Sequence, residues 1–296
     1  VPGFKVKASS LVSMLNIIAA EGKDDRGDKK RFNERCLLII SEGSISCAMV
    51  DEMAILYVSV SINIGKKGVI GEGEIPIDID RILTFLKRFK SSDTVVVEHQ
   101  SGKITISRSE PFLALNFATC ASDDVEGVYR GDEPWPDNDD GLPTKGDVTL
   151  DVKVKLNASD LAEVIKDADQ IEFRAYPWVI KKDLRITVRN EDTGAKISRE
   201  VPASEIINPH GEVTTQFIKG FGQVVNTLNG AGDIECYTAQ DNPLYIYYSK
   251  DKLEAVYILA YMEEDDIEED LDVDAPTVVE TDMSVEDILA SQQGGD

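Results

Sequence analysis

Two copies of one α+β unit, each in the order βαβββαβββ, are the fold this sequence predicts. Apolar residues alternate as in strands and recur at helical spacing in the same succession twice along the 296 residues. Matching residue types recur at regular offsets. Lys5-Val6-Lys7 before Leu11 corresponds to Lys153-Val154-Lys155 before Leu161, 148 residues on, and Ser92-Asp93-Thr94-Val95 corresponds to Gly232-Asp233-Ile234-Glu235, 140 residues on. A polar, proline-rich stretch separates the copies. Duplication on that scale makes two like domains rather than a solenoid of short repeats; two unrelated α+β domains would share so long an order only by coincidence.

In the first copy, Phe4 to Ala8 alternates as a strand and runs into a helix over Ser9 to Ala20, where Leu11, Met14, Leu15 and Ile18 form one apolar face. Cys36 to Ser41, Ser44 to Val50 and Ile55 to Ile62 are β-rich runs broken by short polar turns such as Glu42-Gly43, an antiparallel meander. Asp78 to Lys90 reads as the second helix, with Ile79, Ile82, Leu83, Leu86 and Phe89 on one face and an acid near its positive end. Thr94 to His99, Lys103 to Ser107 and Phe112 to Phe117 close the unit, the first two joined by the turn Gln100-Ser101-Gly102.

The second copy repeats this with a strand over Leu150 to Leu156, a helix over Ala158 to Gln170, and strands near Glu172 to Val179, Leu184 to Arg189 and Lys196 to Val201. A helix over Val213 to Leu228 and strands over Ile234 to Thr238, Leu244 to Ser249 and Ala255 to Met262 follow. The expected domains are 1–118 and 150–265, with an acidic linker over 119–149 and an acidic tail over 266–296. The linker is too polar and rich in proline for a regular element, and Val125, Val128, Tyr129 and Trp135 are the apolar residues it has for lying against the body.

The composition, 42% hydrophobic and 29% charged, is ordinary apart from a net charge of -24. That charge is localised: Glu263 to Asp296 carries 14 acids and no Lys or Arg, and Thr119 to Thr149 carries nine acids against Arg130 and Lys145. The remaining body is close to neutral, which neither requires nor forbids a nucleic-acid partner, since what matters is whether the cations share a face. Cys36, Cys47, Cys120 and Cys236 form no CxxC pair, so reduced, buried thiols are expected, with no metal site and no cofactor. No apolar run reaches the about 18 residues of a membrane span and no secretion signal opens the chain, so no membrane partner and an intracellular location are expected.

Catalysis is not expected. His99 sits in a strand and His210 in a loop, neither beside a nucleophile motif, and there is no HExxH, P-loop or strand-to-helix GxGxxG. In the tail, Met283-Ser284-Val285-Glu286-Asp287-Ile288-Leu289 has the pattern of a capped short helix, a docking or autoinhibitory arm; a solubilising tail is the plainer reading.

Three stretches carry a family resemblance. Asn242-Pro243-Leu244-Tyr245-Ile246-Tyr247-Tyr248, followed by Tyr257-Ile258-Leu259-Ala260 and Glu263-Glu264-Asp265-Asp266, resembles the closing strand pair and acidic end of sliding clamps of the proliferating cell nuclear antigen (PCNA) type. Ser44-Ile45-Ser46-Cys47-Ala48-Met49-Val50-Asp51 resembles that family's strand-and-Asp segment, and Leu86-Lys87-Arg88-Phe89-Lys90-Ser91-Ser92-Asp93 its helix end. The resemblance spans residues 4 to 265 and rests on the order of the motifs.

The resemblance implies a non-enzymatic DNA polymerase processivity factor: a homotrimeric ring with helices lining the hole and sheets outside, encircling duplex DNA without sequence preference. Its partners would be other copies of itself, DNA polymerase, a clamp loader and peptide-motif clients of DNA replication and repair, in the nucleus or in the cytoplasm or nucleoid according to the host. Ring closure would pair the edge bearing Phe112, Leu113, Leu115 and Phe117 with the neighbour's edge bearing Lys196, Ile197, Arg199 and Val201. Covering such edges is also what edge-strand chemistry demands. The client pocket, carried over by position, comprises Val50, Ile55, Tyr57, Val125, Val128, Ile258, Ala260 and Tyr261, the last standing where the family usually has Pro. DNA-facing cations would be Arg81, Lys87, Arg88, Lys90, Lys166 and Lys219, with the loop Lys23 to Arg31 adding more if it sits at the mouth of the hole. The alternative is a subunit of a heteromeric checkpoint-type or scaffold ring, or an acidic clamp-like decoy that does not encircle DNA.

Overall fold

The computed structural model describes residues 1–23, 29–51, 55–171, 175–190, 193–218 and 221–262. Lys219, Arg26, the segment Glu172-Phe173-Arg174 and everything from Glu263 on, including the expected helix at Met283 to Leu289, lie outside the described residues.

The first half runs β1 (Gly3–Lys7), α1 (Ala8–Ala19), a small hairpin of β2 (Glu21–Lys23) and β3 (Lys29–Arg31), then β4 (Arg35–Ser41), β5 (Ser44–Val50) and β6 (Leu56–Asn63). It continues through β7 (Val69–Gly71), β8 (Gly73–Asp78), α2 (Ile79–Leu86), β9 (Thr94–Gln100), β10 (Lys103–Arg108) and β11 (Leu113–Ala118). The linker holds the two-residue strands β12 (Thr144–Lys145) and β13 (Val148–Thr149). The second half is β14 (Val152–Asn157), α3 (Ala158–Ala168), β15 (Ala175–Ile180), β16 (Leu184–Arg189), β17 (Lys196–Val201), β18 (Ala203–Ile207) and β19 (Val213–Ile218). It ends with α4 (Phe221–Leu228), β20 (Asp233–Thr238), β21 (Leu244–Lys250) and β22 (Leu253–Leu259).

The α+β class and the duplicated succession stand, with strands added that the pattern did not reveal. β8 contains Pro76, which argues against a central strand, but β8 is the edge of its sheet, where a missing N–H does no harm. Val213 to Ile218 is a strand and not the start of a helix. Val213 and Phe217 are four apart, which mimics helical spacing, yet the run is β-branched and aromatic and pairs along its length with β15, from Val213↔Ile180 to Ile218↔Ala175.

Local chemistry sets the helix ends. Asp78 caps α2 by accepting from the Arg81 backbone N–H (2.9 Å), and Asn157 caps α3 by accepting from that of Ser159 (3.0 Å). α1 has no side-chain cap and depends on burying Leu11, Met14, Leu15 and Ile18. Ser101 and Gly102, both at positive φ, make the tight turn between β9 and β10.

Among the described residues three sheets have four or more strands, beside the two-stranded β2-β3 and β12-β13. One has the order β11-β10-β9-β1-β7, one β17-β16-β15-β19, and the nine-stranded sheet β18-β14-β20-β21-β22-β6-β5-β4-β8 runs through both halves. Its seam is β22 on β6, antiparallel from Leu253↔Ile62 to Leu259↔Leu56. α1 packs against both α2 and α4, and α4 against α3, so the helices form a row α2-α1-α4-α3. Cys36, Cys47 and Cys236 are buried free thiols and Cys120 is half-buried. Among the described residues, no helix is long and apolar enough to cross a membrane.

Trp178 centres the second half's core. It is fully buried, with its ring edge-on to Phe217 at 5.4 Å and to Phe221 at 5.6 Å. Trp178→Ala is expected to cost about 3–5 kcal/mol of stability in a denaturant titration, the cavity being too large to collapse.

Candidate functional site

Strand alternation divides the seam into two faces. Leu56, Val58, Val60 and Ile62 of β6, with Leu253, Ala255, Tyr257 and Leu259 of β22, join the core that contains the buried residues of α1. The intervening Tyr57, Val256 and Ile258 form a second cluster with Tyr237 and Tyr245 from β20 and β21 and with Trp135 and Leu150. Val50, Tyr129 and Leu142 border it, so the linker from Tyr129 on lies on the sheet face away from α1.

The backbone fixes where the linker starts. β4 splays from β5 beyond Ser46 to follow β8, and the freed edge of β5 is taken by the linker: the Val50 N–H donates to the Gly127 carbonyl (2.7 Å) and the Tyr129 N–H to that of Ala48 (2.9 Å). Gly127 has φ +70°, and a Cβ there would lie 2.3 Å from the Val50 carbonyl oxygen, so a side chain is excluded. The Arg130 guanidinium then pairs with the Glu74 carboxylate of β8, which holds that carboxyl below the ordinary carboxylate range. Further on, Trp135 is only 6% exposed, Tyr129 stands edge-on to Tyr57 (5.1 Å between centroids), and the Tyr245 hydroxyl donates to Glu133 (3.1 Å). Burial raises the Glu133 carboxyl, and it raises Tyr57 to about 12, with the Glu133 charge adding to the shift. Tyr237 and Tyr245 are raised too, by burial and by their acidic hydrogen-bond partners Glu235 and Glu133. A cavity of about 700 Å³ opens between linker and sheet, walled by Tyr129, Tyr237, Tyr245 and Tyr247.

The eight expected pocket residues do not form one cluster. Val50, Tyr57 and Ile258 meet on the linker face. Val125, Val128 and Tyr261 pack instead with the helix-side core. Ile55 and Ala260 lie at the end of the seam, where the Ala260 N–H donates to the Ile55 carbonyl (2.9 Å), and Tyr261 then bridges to Phe217 of β19. Tyr237, Tyr245, Val256 and Leu150 were not anticipated on this face; the Tyr245-Ile246-Tyr247 alternation was the signal for them.

At the expected subunit edges, among the described residues, β11 pairs only with β10 and β17 only with β16. Phe112 is 79% exposed in the turn before β11, while Leu113, Leu115 and Phe117 are half-buried, Phe117 being stacked on Phe85 (4.6 Å). On β17, Lys196 and Arg199 are exposed, Arg199 is paired with Asp167 of α3, Ile197 is half-buried, and Val201 is inside its own core at 1% exposure. Arg81, Lys87, Arg88, Lys90 and Lys166 are exposed on or just beyond α2 and α3, and Arg81 donates to the Ala118 carbonyl (3.3 Å). Arg31 pairs with Asp80 of α2. His210 lies 3.0 Å from the Asp151 carboxylate, and no group of three or more metal-ligating side chains occurs among the described residues.

No family model and no curated protein matches the chain. Solved structures do. PCNA from Thermococcus kodakaraensis superposes with a TM-score of 0.66 at 14% identity, over 88% of this chain and 100% of that one. PCNA from Entamoeba histolytica gives 0.65 at 11% over 88% and 99%, and PCNA from A. fulgidus, solved with the C-terminal region of FEN-1 bound, gives 0.64 at 15% over 89% and 99%. The fold is that of the PCNA sliding clamp. The likeness covers both repeats of the clamp fold and leaves about a tenth of this chain unmatched.

The tyrosines of the linker face make it alkali-sensitive. Because its folded pKa is raised, Tyr57 contributes stability that is complete below the unfolded value of about 10 and is lost as pH rises toward about 12. Phenolate absorbance is expected to show a fraction of tyrosines ionising late, with protease cleavage in 129–143 accelerating over the same window. Trp135→Ala is expected to bring that cleavage on at neutral pH.

Proposed function

We propose that this chain is one subunit of a homotrimeric ring that encircles duplex DNA and tethers DNA polymerase and repair enzymes to it. What carries the reading is a relation between joined and unjoined sheet edges. The succession β11-β10-β9-β1-β7 of the first copy corresponds strand for strand to β22-β21-β20-β14-β18 of the second, and β6-β5-β4-β8 corresponds to β17-β16-β15-β19. β22 pairs with β6 within the chain, so the equivalent strands left without such a partner are β11 and β17. Laying β11 of one subunit on β17 of the next repeats the internal seam between chains. That contact is head-to-tail, and head-to-tail contacts that close make rings. Phe112 and the half-buried Leu113, Leu115 and Ile197 would be covered by it, with Lys196 and Arg199 at its rim.

In this reading 1–118 and 150–265 are the clamp domains, and 119–149 is the connector under which clients dock. Val50, Tyr57 and Ile258, with the tyrosine-walled cavity, form the client face; the FEN-1 segment bound to the A. fulgidus clamp supports a docked peptide as the mode of tethering. The helix row faces the duplex, and the site of action is wherever that DNA resides, nucleus or nucleoid.

Light scattering coupled to size exclusion is expected to give about 98 kDa, three times the 32.6 kDa chain, across concentrations and salt. A chain mass of 32.6 kDa throughout would remove the homotrimer and leave a ring that requires other subunits. Phe112→Asp is expected to weaken association at least about tenfold per interface, since burying a Phe contributes about 1.5–3 kcal/mol. Retention on circular duplex after loading, lost on linearisation, tests encirclement itself.

A further inference from the structure

The expected DNA-facing cations among the described residues sit on or just beyond the helices, yet four exposed lysines share one groove elsewhere. A groove of about 1020 Å³ runs between α1 and the C-terminal end of α4, bounded by β1, the end of β6 and the β21–β22 turn. Lys5 and Lys7 flank buried Val6, so both ammonium groups leave β1 on one face. Lys250 and Lys252 flank Asp251, whose φ of +56° makes the tight β21–β22 turn.

All four lysines are exposed, and none has an ion-pair partner among the described residues. Lys153, Lys155 and Lys181, by contrast, are each matched to a glutamate. Asp251 is the single acid lining the groove, which leaves it at +3 in a chain of net charge -24. The fold gains nothing from holding four like charges together. α1, which carries no cation, adds neutral donors from Ser9, Ser13 and Asn16, spaced four and three apart and therefore on one exposed face. Thr94, at the start of β9, completes the lining beside β1. The Ala8 N–H donates to the Asp93 carbonyl (2.9 Å) and the Ser9 N–H to that of Ser91 (3.2 Å), which sets the turn after Lys90 against the start of α1.

An open channel with cations along both walls and hydroxyl and amide donors between them matches a repeating anion better than a single small one. We propose that this groove seats the phosphodiester backbone of duplex DNA, with Lys5, Lys7, Lys250 and Lys252 as its phosphate contacts and the α1 hydroxyls as neutral donors beneath. The inference rests on the reading that duplex lies against the helix row, and it moves the main contacts from the helices to strand ends and a turn.

The test is fluorescence anisotropy of the full chain on a short blunt duplex, as a function of salt. The fourfold variant Lys5→Ala, Lys7→Ala, Lys250→Ala, Lys252→Ala is compared with Lys181→Ala, Lys182→Ala, and thermal melts verify folding. The fourfold variant is expected to lose about 3–4 from the log–log salt slope and the comparison variant less than about 1. An unchanged slope in a folded fourfold variant overturns the groove while leaving encirclement, judged by retention on circular duplex, intact. Absence of wild-type binding to linear duplex at low salt overturns the groove whether or not the chain forms a ring. Displacement of the duplex by inorganic phosphate at matched ionic strength also overturns it, in favour of a small-anion site.

Discussion

The ladder between β22 and β6 is the contact on which the remaining architecture depends. It brings strands nearly 200 residues apart in sequence into one register, at a loop-closure cost that grows only slowly with length. Because side chains alternate across it, the same ladder generates two unlike surfaces: an aliphatic one that accepts α1 and a tyrosine-rich one left for the linker. A one-residue slip would exchange these faces, putting Tyr57 and Ile258 under the helix and Tyr257 under the linker. Tyr257 is fully buried in the helix-side core, so the register is held by packing on both sides at once.

The linker shows how an acidic, proline-rich segment can be ordered without regular structure. Its net charge opposes folding onto a surface that already carries Glu235 and Glu254, and its own Glu133 is partly buried with a raised pKa. Trp135, Tyr129 and Leu142 offset that by burying aromatic and aliphatic area against the tyrosines of β20 and β21, while the ion pair of Arg130 with Glu74 and two backbone hydrogen bonds exchanged with β5 set its direction. Contacts of this type are local, so the linker can open without unfolding the sheet beneath it.

What could be read in the sequence follows from which forces are periodic. α1, α3 and most strands were legible because burial imposes a period of 3.6 or 2 on the residues themselves, and the duplication was legible because both copies obey the same periods. β8 and β18 were not, being short edge strands without strong alternation, one of them holding Pro76. β19 was misread because Val213, Phe217 and Phe221 fall at helical spacing, though the chain changes from strand to helix between the last two. The candidate client face was half legible. Val50, Tyr57 and Ile258 share a parity that the strands make visible, but Val125 and Val128 belong to a linker whose side chains follow no period, and their turn toward the helix-side core depends on how Gly127 threads past Val50.

The distribution of charge follows from the same geometry. A protein that holds duplex by passing around it needs little affinity, and each added phosphate contact makes binding steeper in salt and sliding slower to release. α1 presents serine and asparagine where cations would grip, Asp80 of α2 and Asp167 of α3 are taken up by Arg31 and Arg199, Arg81 of α2 donates to a backbone carbonyl, and Lys5, Lys7, Lys250 and Lys252 lie at the margin of the helix row. Acids concentrated in the linker and beyond Glu263 keep the net charge strongly negative, which suppresses non-specific adsorption to polyanions away from that margin. In the proposed ring the helix row would be a low-friction surface whose contacts orient the duplex, and the strength of the hold would lie in the sheet edges that close it.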